Sequence, residues 1–95
     1  MNNNEKPLKE VIDSMLEAYK LKGKVNEVRI INEWENAVGS LIAQKTDKIY
    51  VRRGKLYVYL SSSVIKNELV YAREQIIDRL NAAVGEQIIT ELVVK

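Results

Sequence analysis

The sequence has no cysteine and no histidine, and these two absences remove several classes of chemistry at once. Without cysteine there is no disulfide framework and no thiolate nucleophile, and nothing points to an oxidising compartment. Without histidine as well, the usual zinc, copper and haem ligands are absent. Ser–His, Cys–His and metal-assisted hydrolysis are therefore excluded, and we expect no cofactor and no small-molecule substrate.

Long apolar runs are absent too. The first ten residues, MNNNEKPLKE, are polar where a secretory signal needs an apolar core, and no segment approaches the ~20 apolar residues that span a bilayer. Four glycines and one proline among 95 residues are typical of a folded chain. We expect a cytoplasmic protein with no membrane partner, made of a disordered tail over residues 1–5 and a single domain over residues 6–95.

Positive charge is concentrated in one short window. Of the 15 basic and 13 acidic residues, five basic and one acidic lie between Lys45 and Lys55, so this window carries +4. Residues 1–44 hold six basic and seven acidic residues, and residues 56–95 hold four and five, so each flank is −1. The formal net charge of +2 comes from one basic segment on a nearly neutral chain, which is a candidate nucleic-acid surface.

Two amphipathic helices are predicted before the basic window. Pro7 suits a first helical turn, and apolar residues follow at helical spacing until Gly23, where we expect the first helix to end. We expect Asn26 to cap a second helix that stops at Gly39. The predicted core faces are Leu8, Val11, Ile12, Met15, Leu16 and Tyr19 in the first helix, and Val28, Ile31, Trp34 and Val38 in the second.

The basic window overlaps a predicted β-hairpin. Apolar and polar residues alternate from Lys48 to Leu60, and Arg53-Gly54 in the middle favours a two-residue turn. Because side chains alternate along a strand, this turn sorts them into a buried aliphatic face and an opposite face of cations and tyrosines. The aliphatic face contains Ile49, Val51, Leu56, Val58 and Leu60, and the opposite face contains Lys48, Tyr50, Arg52, Lys55, Tyr57 and Tyr59.

A serine run after the hairpin leads into the last predicted helix. Ser62 or Ser63 is expected to cap a helix that runs to about Val84 and ends at Gly85. The predicted core face of this helix contains Ile65, Leu69, Ala72, Ile76, Leu80 and Ala83. A serine nucleophile is the weaker interpretation, because the sequence offers no histidine as a general base. Residues 88–94 are predicted to form a third strand parallel to the second. The predicted fold class is α+β, in the order α-α-β-β-α-β, with helices packed on a three-stranded sheet whose strand order stays open.

We predict a nucleic-acid site on the cation and tyrosine face of the hairpin. Lysine and arginine neutralise phosphates, and an exposed tyrosine offers a base a flat surface for stacking. Two alternatives stay open: a surface for a partner protein, and a purely structural face, since cross-strand tyrosines stabilise sheets and edge lysines discourage aggregation. The predicted contact residues are Lys45, Lys48, Tyr50, Arg52, Arg53, Lys55, Tyr57 and Tyr59.

Four segments of the sequence, in a fixed order, carry a family resemblance. They are Trp34-Glu35-Asn36-Ala37-Val38-Gly39, Ile42-Ala43-Gln44-Lys45-Thr46, Gly54-Lys55-Leu56-Tyr57-Val58 and Ser61-Ser62-Ser63-Val64-Ile65-Lys66-Asn67-Glu68-Leu69. This succession is similar to the DciA family, long catalogued as a domain of unknown function, over nearly the whole chain from about Leu8 to Lys95. The resemblance implies a type II KH-like fold and a non-enzymatic, nucleoid-associated bacterial protein. Its implied partners are single-stranded or forked DNA and the DnaB-type replicative helicase, which the protein would help to load on single strands.

Two features depart from what the resemblance implies. The G-x-x-G loop with which ordinary KH modules clamp a nucleic-acid backbone is absent, so the hairpin is the predicted contact instead. Many family members carry a basic, flexible extension after the domain, and because this sequence ends at Lys95 we expect a minimal single-domain member. The alternatives to a DNA-binding adaptor are a protein-interaction module that does not itself bind nucleic acid, and an RNA-binding KH-like protein.

Overall fold

The computed structural model describes the backbone of residues 5–95 and the side chains of residues 7–95. The fold is α+β, as predicted, with helices packed against one face of a mixed three-stranded sheet. The disordered tail predicted for residues 1–5 lies outside the described residues except for Glu5, which begins the first helix. The KH-like comparison stays a prediction. The elements are α1 (Glu5–Asn32), α2 (Trp34–Val38), α3 (Ser40–Gln44), β1 (Thr46–Arg52), β2 (Lys55–Leu60), α4 (Ser63–Tyr71), α5 (Arg73–Val84) and β3 (Glu91–Val94).

Helix α1 is longer than predicted. It is continuous, so the predictions that Gly23 ends it and that Asn26 caps a second helix are wrong. One glycine costs a helix only about 1 kcal/mol relative to alanine, and the turns on both sides of Gly23 maintain the helix. The Asn26 side chain is buried and donates a hydrogen bond to Glu86 Oε2 at 3.2 Å instead of capping. Continuity also fixes the phase of the helix, so Ile30 is buried while Val28, a predicted core residue, is 55% exposed.

The N-terminal half of α1 extends beyond the rest of the fold. Every residue from Pro7 to Val25 is exposed. The predicted core face of this half is therefore wrong, because its side chains are 49–72% exposed; they are Leu8, Val11, Ile12, Met15, Leu16 and Tyr19. No helix within residues 5–95 combines the length and apolar character needed to cross a bilayer.

The hairpin has the predicted turn and register. Arg53 and Gly54 have φ values of 51° and 76°, the left-handed conformation that a two-residue turn of type I′ needs at both positions. Arg52 pairs with Lys55 and Tyr50 with Tyr57, as predicted. Strand β3 lies parallel to β2 and directly beside it, so the sheet order is β1-β2-β3. This order resolves the strand arrangement that the sequence left open.

A register shift places the start of β1 against the helices. Thr46 pairs with Leu60 and Lys48 with Tyr59, so one extra residue in β1 interrupts the alternation. Thr46 accepts a hydrogen bond from Trp34 Nε1 at 3.0 Å and donates one to the Ile42 carbonyl at 2.8 Å. The shift thereby anchors the hairpin to α2 and α3.

The core lies between the inner face of the sheet and the helices. Leu56 and Val58 of β2 are fully buried, and Trp34, at 4% exposure, is enclosed with them as predicted. The buried apolar residues are Ile30, Trp34, Leu56, Val58, Leu60, Leu69, Ile76, Leu80, Val84, Ile89 and Leu92.

The predicted last helix is two helices. Ser62 caps α4, with its Oγ accepting a hydrogen bond from Ile65 N–H at 3.3 Å, and Gly85 ends α5 with a φ of 85°, both as predicted. The chain leaves helical geometry at Ala72, where ψ is 10°, and then resumes as α5. After the break, Ile76, Leu80 and Val84 follow one another at steps of four residues and are buried, so the predicted core residue Ala83, three residues after Leu80, is exposed.

Strand β3 is shorter than predicted because the Asn81 side chain forms hydrogen bonds with the backbone of the predicted first residues of the strand. Asn81 is buried, and its Oδ1 accepts hydrogen bonds from Ile88 N–H at 2.9 Å and Ile89 N–H at 3.0 Å. Its Nδ2 donates to the Ile89 carbonyl at 2.8 Å. These bonds replace sheet pairing at Ile88 and Ile89, so β3 begins only at Glu91.

Candidate nucleic-acid interface

The helices leave one face of the sheet uncovered, and we call it the open face. Leu56, Val58 and Leu60 point into the core, so the alternating residues of β2 point the other way. The same alternation places every second residue of β1 beside them through the cross-strand pairs. The open face therefore brings together Lys48, Tyr50, Arg52, Lys55, Tyr57 and Tyr59.

Three tyrosines form a stacked cluster at the centre of the open face. The ring centroids of Tyr50 and Tyr57 lie 4.8 Å apart with an interplanar angle of 11°. Tyr50 and Tyr59 lie diagonally across the strands at 6.2 Å and 24°. All three side chains are half-buried by one another. The cluster is a continuous aromatic surface, and it also stabilises the hairpin in the way that a purely structural interpretation expects.

Lys48 lies over the edge of this cluster. Its Nζ is 5.3 Å from the centroid of the Tyr50 ring and 5.5 Å from that of Tyr59, within the range of cation–π attraction. Since Lys48 is exposed, its ammonium group stays available to solvent while the rings hold it above the sheet. A cation and an aromatic surface thus occur side by side, as phosphate contact combined with base stacking requires.

Strand β3 adds three residues to the open face that sequence reasoning missed. Glu91 pairs with Lys55, and Val93 pairs with Tyr57. Lys95 donates its backbone N–H to the Val58 carbonyl at 2.8 Å and accepts from Leu60 N–H at 2.9 Å, so it lies opposite Tyr59. The signal that could have found them is the same alternation extended through β3, once β3 is known to pair with β2.

One of the predicted cations is paired with an acid. Lys55 Nζ lies 3.4 Å from Glu91 Oε2, and both side chains are about half exposed. An exposed ion pair of this kind contributes at most about 1 kcal/mol, so a phosphate can compete for the lysine. Within residues 7–95, no carboxylate lies at ion-pair distance from Lys48 or Arg52. Lys48 and Arg52 therefore contribute unopposed positive charge to the open face.

Two of the predicted contact residues lie at the margins of the open face. Arg53 occupies the hairpin turn. Lys45 ends α3, immediately before β1, and is exposed. Neither belongs to the cross-strand set, so they flank the tyrosine cluster at the turn and at the start of β1 respectively.

The Tyr50 hydroxyl lies 3.5 Å from the Tyr59 hydroxyl. This hydrogen bond raises the pKa of Tyr50, and partial burial and the nearby Tyr59 hydroxyl raise it further, while Lys48 and Lys95 act in the opposite direction. The Tyr50 phenol is thus protonated at neutral pH, so the centre of the cluster adds no negative charge that would repel phosphate.

A second concave surface lies on the helical side of the molecule. An apolar groove of about 190 Å³ runs between α2–α3 and α4–α5, with Val38, Ile42 and Leu69 among its walls. Arg79 crosses its rim and donates a hydrogen bond to the Ala37 carbonyl at 3.3 Å. The groove is smaller than the ~300–1,000 Å³ of pockets that hold small molecules, and it lies on the other side of the sheet from the basic residues.

Residues 7–94, nearly the whole chain, match the family model described as "Dna[CI] antecedent, DciA". None of the curated proteins is similar enough to count as a relative.

Proposed function

Because the chain belongs to the DciA family, whose role is connected with helicase loading in replication, we propose that it is a non-enzymatic adaptor that binds single-stranded or forked DNA through the open face. In this role it assists the loading of a DnaB-type replicative helicase. The observation that carries the proposal is the juxtaposition of unpaired cations with a stacked tyrosine cluster on the one sheet face that no helix covers.

The charge of the open face supports a weak, salt-sensitive contact. Lys48, Arg52, Lys55 and Lys95 provide four positive charges and Glu91 one negative charge, which leaves +3. About three phosphate contacts on a single strand give a slope near −2 for the logarithm of affinity against the logarithm of salt concentration. A domain with this modest charge binds DNA briefly, which suits an adaptor that must release the strand to a helicase.

The tyrosine cluster supports contact with single strands rather than with duplex. Unpaired bases can stack on an aromatic surface, at ~1–3 kcal/mol per base, whereas the bases of a duplex are already stacked on one another. Since the rings already pack against one another and the central phenol is uncharged, little conformational freedom is lost when a base packs against the cluster. The work of the protein would then take place in the cytoplasm, at the nucleoid.

The test is fluorescence anisotropy with a labelled single-stranded oligonucleotide over a series of salt concentrations. We expect the double variant Lys48→Glu/Arg52→Glu to bind at least tenfold more weakly, with the slope reduced from about −2 to about −0.7. The matched control is Lys9→Glu/Lys24→Glu, which reverses two charges on α1 and should leave the slope unchanged. An equal loss in both variants would assign binding to net charge and remove the open face from the DNA site.

A second candidate function is docking on the helicase without DNA contact. It is favoured by the ion pair between Lys55 and Glu91 and by the mutual stacking of the tyrosines, which already occupies part of their ring surface. Affinity capture with purified helicase distinguishes the two functions through Tyr57→Ala. Lost helicase binding with intact DNA binding supports docking, and the reverse supports the DNA site.

RNA binding through the same face is a third possibility that follows from the KH-like prediction. Aromatic and cationic side chains serve both kinds of single strand, and discrimination requires contacts to the 2′-hydroxyl. Competition between DNA and RNA oligonucleotides of one sequence measures the preference directly. Displacement of the labelled DNA by RNA at lower concentration than by unlabelled DNA would contradict the DNA assignment.

A further inference from the structure

The exposed apolar residues of α1 form a continuous stripe, and no side chain of residues 20–95 packs against it. Leu8, Ile12, Met15 and Tyr19 follow one another at steps of four, three and four residues, and each is about half exposed or more. This spacing is that of the a and d positions that form the seam between two coiled helices. Val11 and Leu16 lie along the two sides of the seam, and Leu21, also exposed, lies on the opposite side of the helix.

We call the rest of the fold, from Asn26 to Lys95, the body of the protein. The stripe is on the same side of α1 as the body. Continuing the helical spacing from Tyr19 leads to Asn26 and Ile30, which are the α1 residues buried against the sheet and α5. Lys22, just before them, is already held at 2.9 Å by Glu86. The stripe is therefore the outward continuation of the side of α1 that packs in the core, past the point where the body ends.

The area of the stripe matches what a dimer needs. Its six apolar side chains, 49–72% exposed, offer on the order of 700 Å² of accessible surface, close to the ~800 Å² that each partner contributes to a standard interface. A monomer rarely exposes a contiguous apolar patch of this size without an interaction partner.

The spacing of the stripe also allows two copies of α1 to pair with each other. If two copies of α1 lie antiparallel with their two-fold axis between Asp13 and Ser14, Leu8 falls opposite Tyr19 of the second copy. Ile12 then falls opposite Met15 of the second copy, and each apolar layer is repeated by symmetry. A parallel pairing is excluded because each body lies on the stripe side of its own helix, so both bodies would occupy the same space.

We propose that the occupant of the stripe is a second copy of this chain, and that the protein is a two-fold symmetric dimer joined by the antiparallel N-terminal halves of α1. The two bodies lie at opposite ends of the paired helices, each with its open face. The dimer is independent of the function proposed for that face. Where the open face binds DNA, the pairing provides two linked sites and therefore avidity on a longer strand.

Sedimentation of the full chain over a range of concentrations tests the dimer. We expect a concentration-dependent dimer with a dissociation constant in the micromolar range or tighter, as interfaces of this area show. Ile12→Glu/Met15→Glu places charges in the seam and should weaken dimerisation at least tenfold. Leu21→Glu is the matched control, since it adds a charge at an equally exposed apolar position on the opposite side of α1, and it should leave the dimer unchanged. A monomer at about 100 μM, or equal effects of both variants, would overturn the proposal.

The absence of cysteine makes the orientation testable by cross-linking. At 1.5 Å per residue, two copies of position 8 lie about 16 Å apart in the antiparallel pair, whereas position 8 faces position 19. A mixture of Leu8→Cys and Tyr19→Cys chains should therefore form a mixed disulfide, and Leu8→Cys alone should not, since bridged Cα atoms must lie within ~7 Å. Cross-linking of Leu8→Cys with itself would contradict the antiparallel arrangement.

Folding of the stripe back onto its own body is the competing outcome, and Gly23 separates it from the dimer. A fold-back needs the helix to break near Gly23, whereas the dimer uses it unbroken. A Cβ at Gly23 would meet no atom within 4 Å, so Gly23→Ala is accommodated. We expect this variant to dimerise as well as the parent or better. Weaker dimerisation of Gly23→Ala would contradict the continuous-helix interface.

Discussion

Glu91 controls how much of the Lys55 charge is available to a ligand. The two side chains form an exposed ion pair at 3.4 Å, and Glu91 is the one acid that the strand pairing places on the open face. At the level of single residues, the strength of the proposed DNA contact therefore depends on an acid in β3 as well as on the cations of the hairpin.

The first residue-scale prediction follows from this ion pair. Glu91→Gln removes the competing carboxylate and frees Lys55 for a phosphate. We expect tighter binding to single-stranded DNA and a salt slope steeper by up to about 0.7, the value of one added contact. Glu74→Gln, which removes an exposed acid from α5, controls for net charge and should change neither quantity as much. Equal slopes for Glu91→Gln and the parent chain would separate Lys55 from the DNA site.

The second residue-scale prediction concerns the Tyr50 phenol. Its pKa is raised by the hydrogen bond with Tyr59, so the folded state holds this proton more tightly than the unfolded state does. The shift in the Tyr50 pKa therefore contributes to the free energy of unfolding. This contribution is fully present below the ordinary tyrosine pKa of about 10, and it is lost as the pH rises through the raised pKa of Tyr50 in the folded state. Urea unfolding at increasing alkaline pH should show a smaller pH-dependent loss for Tyr50→Phe than for the parent. Tyr71→Phe, at a 92% exposed position, is the control and should follow the parent.

At the scale of elements, a buried amide decides where β3 begins. Asn81 of α5 binds the backbone of Ile88 and Ile89 through three hydrogen bonds, so the chain turns from helix to strand without sheet pairing at those residues. The position of Glu91 and Lys95 on the open face depends on this connection. The Asn81 side chain lies on the core side of the sheet, and it thus helps to position Glu91 and Lys95 on the open face.

We expect Asn81→Ala to lower the free energy of unfolding by about 2–4 kcal/mol, because it leaves buried backbone groups without hydrogen-bond partners. Urea denaturation followed by circular dichroism measures this change. Asn67→Ala, at an exposed position of α4, should stay within about 0.5 kcal/mol of the parent. A loss below 1 kcal/mol in Asn81→Ala would mean that the segment before β3 finds other partners.

Helix α1 gives a second prediction at this scale. Gly23 lies in the middle of the helix at an exposed position, where alanine is favoured by about 1 kcal/mol. The turns before it do not contact the core, so the gain should appear chiefly as higher helical content and less as global stability. Far-ultraviolet circular dichroism on heating compares Gly23→Ala with the parent. Unchanged helical content would indicate that Gly23 does not limit the helix.

At the scale of the whole molecule, α1 determines the shape. The molecule measures 67 × 21 × 18 Å, and its radius of gyration of 17.9 Å exceeds the ~13 Å of a compact 100-residue domain. A helix of 28 residues is about 42 Å long, and roughly its first half lies outside the core. The body should therefore be able to fold without the projecting half of α1.

We expect deletion of residues 1–19 to leave the body folded, because Asn26 is the first buried residue after Pro7 and the Lys22–Glu86 ion pair is retained. At a protein concentration low enough for the parent chain to be monomeric, the free energy of unfolding should change by less than about 1 kcal/mol. Binding to an oligonucleotide short enough for one open face should also be unchanged. Loss of a cooperative unfolding transition would show that the projecting half contributes to the stability of the body.

Features that depend only on neighbouring residues could be predicted before the structure was known. The register of the hairpin follows from Arg53-Gly54 and the alternation on both sides, and the boundaries at Ser62 and Gly85 follow from local capping. The register of the hairpin places six of the eight predicted contact residues on the open face. The role of these residues in binding DNA stays a prediction.

Contacts between residues that are far apart in the sequence could be identified only in the tertiary structure. Pairing of β3 with β2 brought Glu91 and Lys95 onto the open face, and neither lies near the hairpin in sequence. Gly23 favours a helix end locally, but the continuous α1 keeps Asn26 bonded to Glu86 and sends the apolar stripe past the body. An apolar helical stripe is the same in sequence whether its own core or a second chain covers it, because periodicity records which side is apolar and not what packs there.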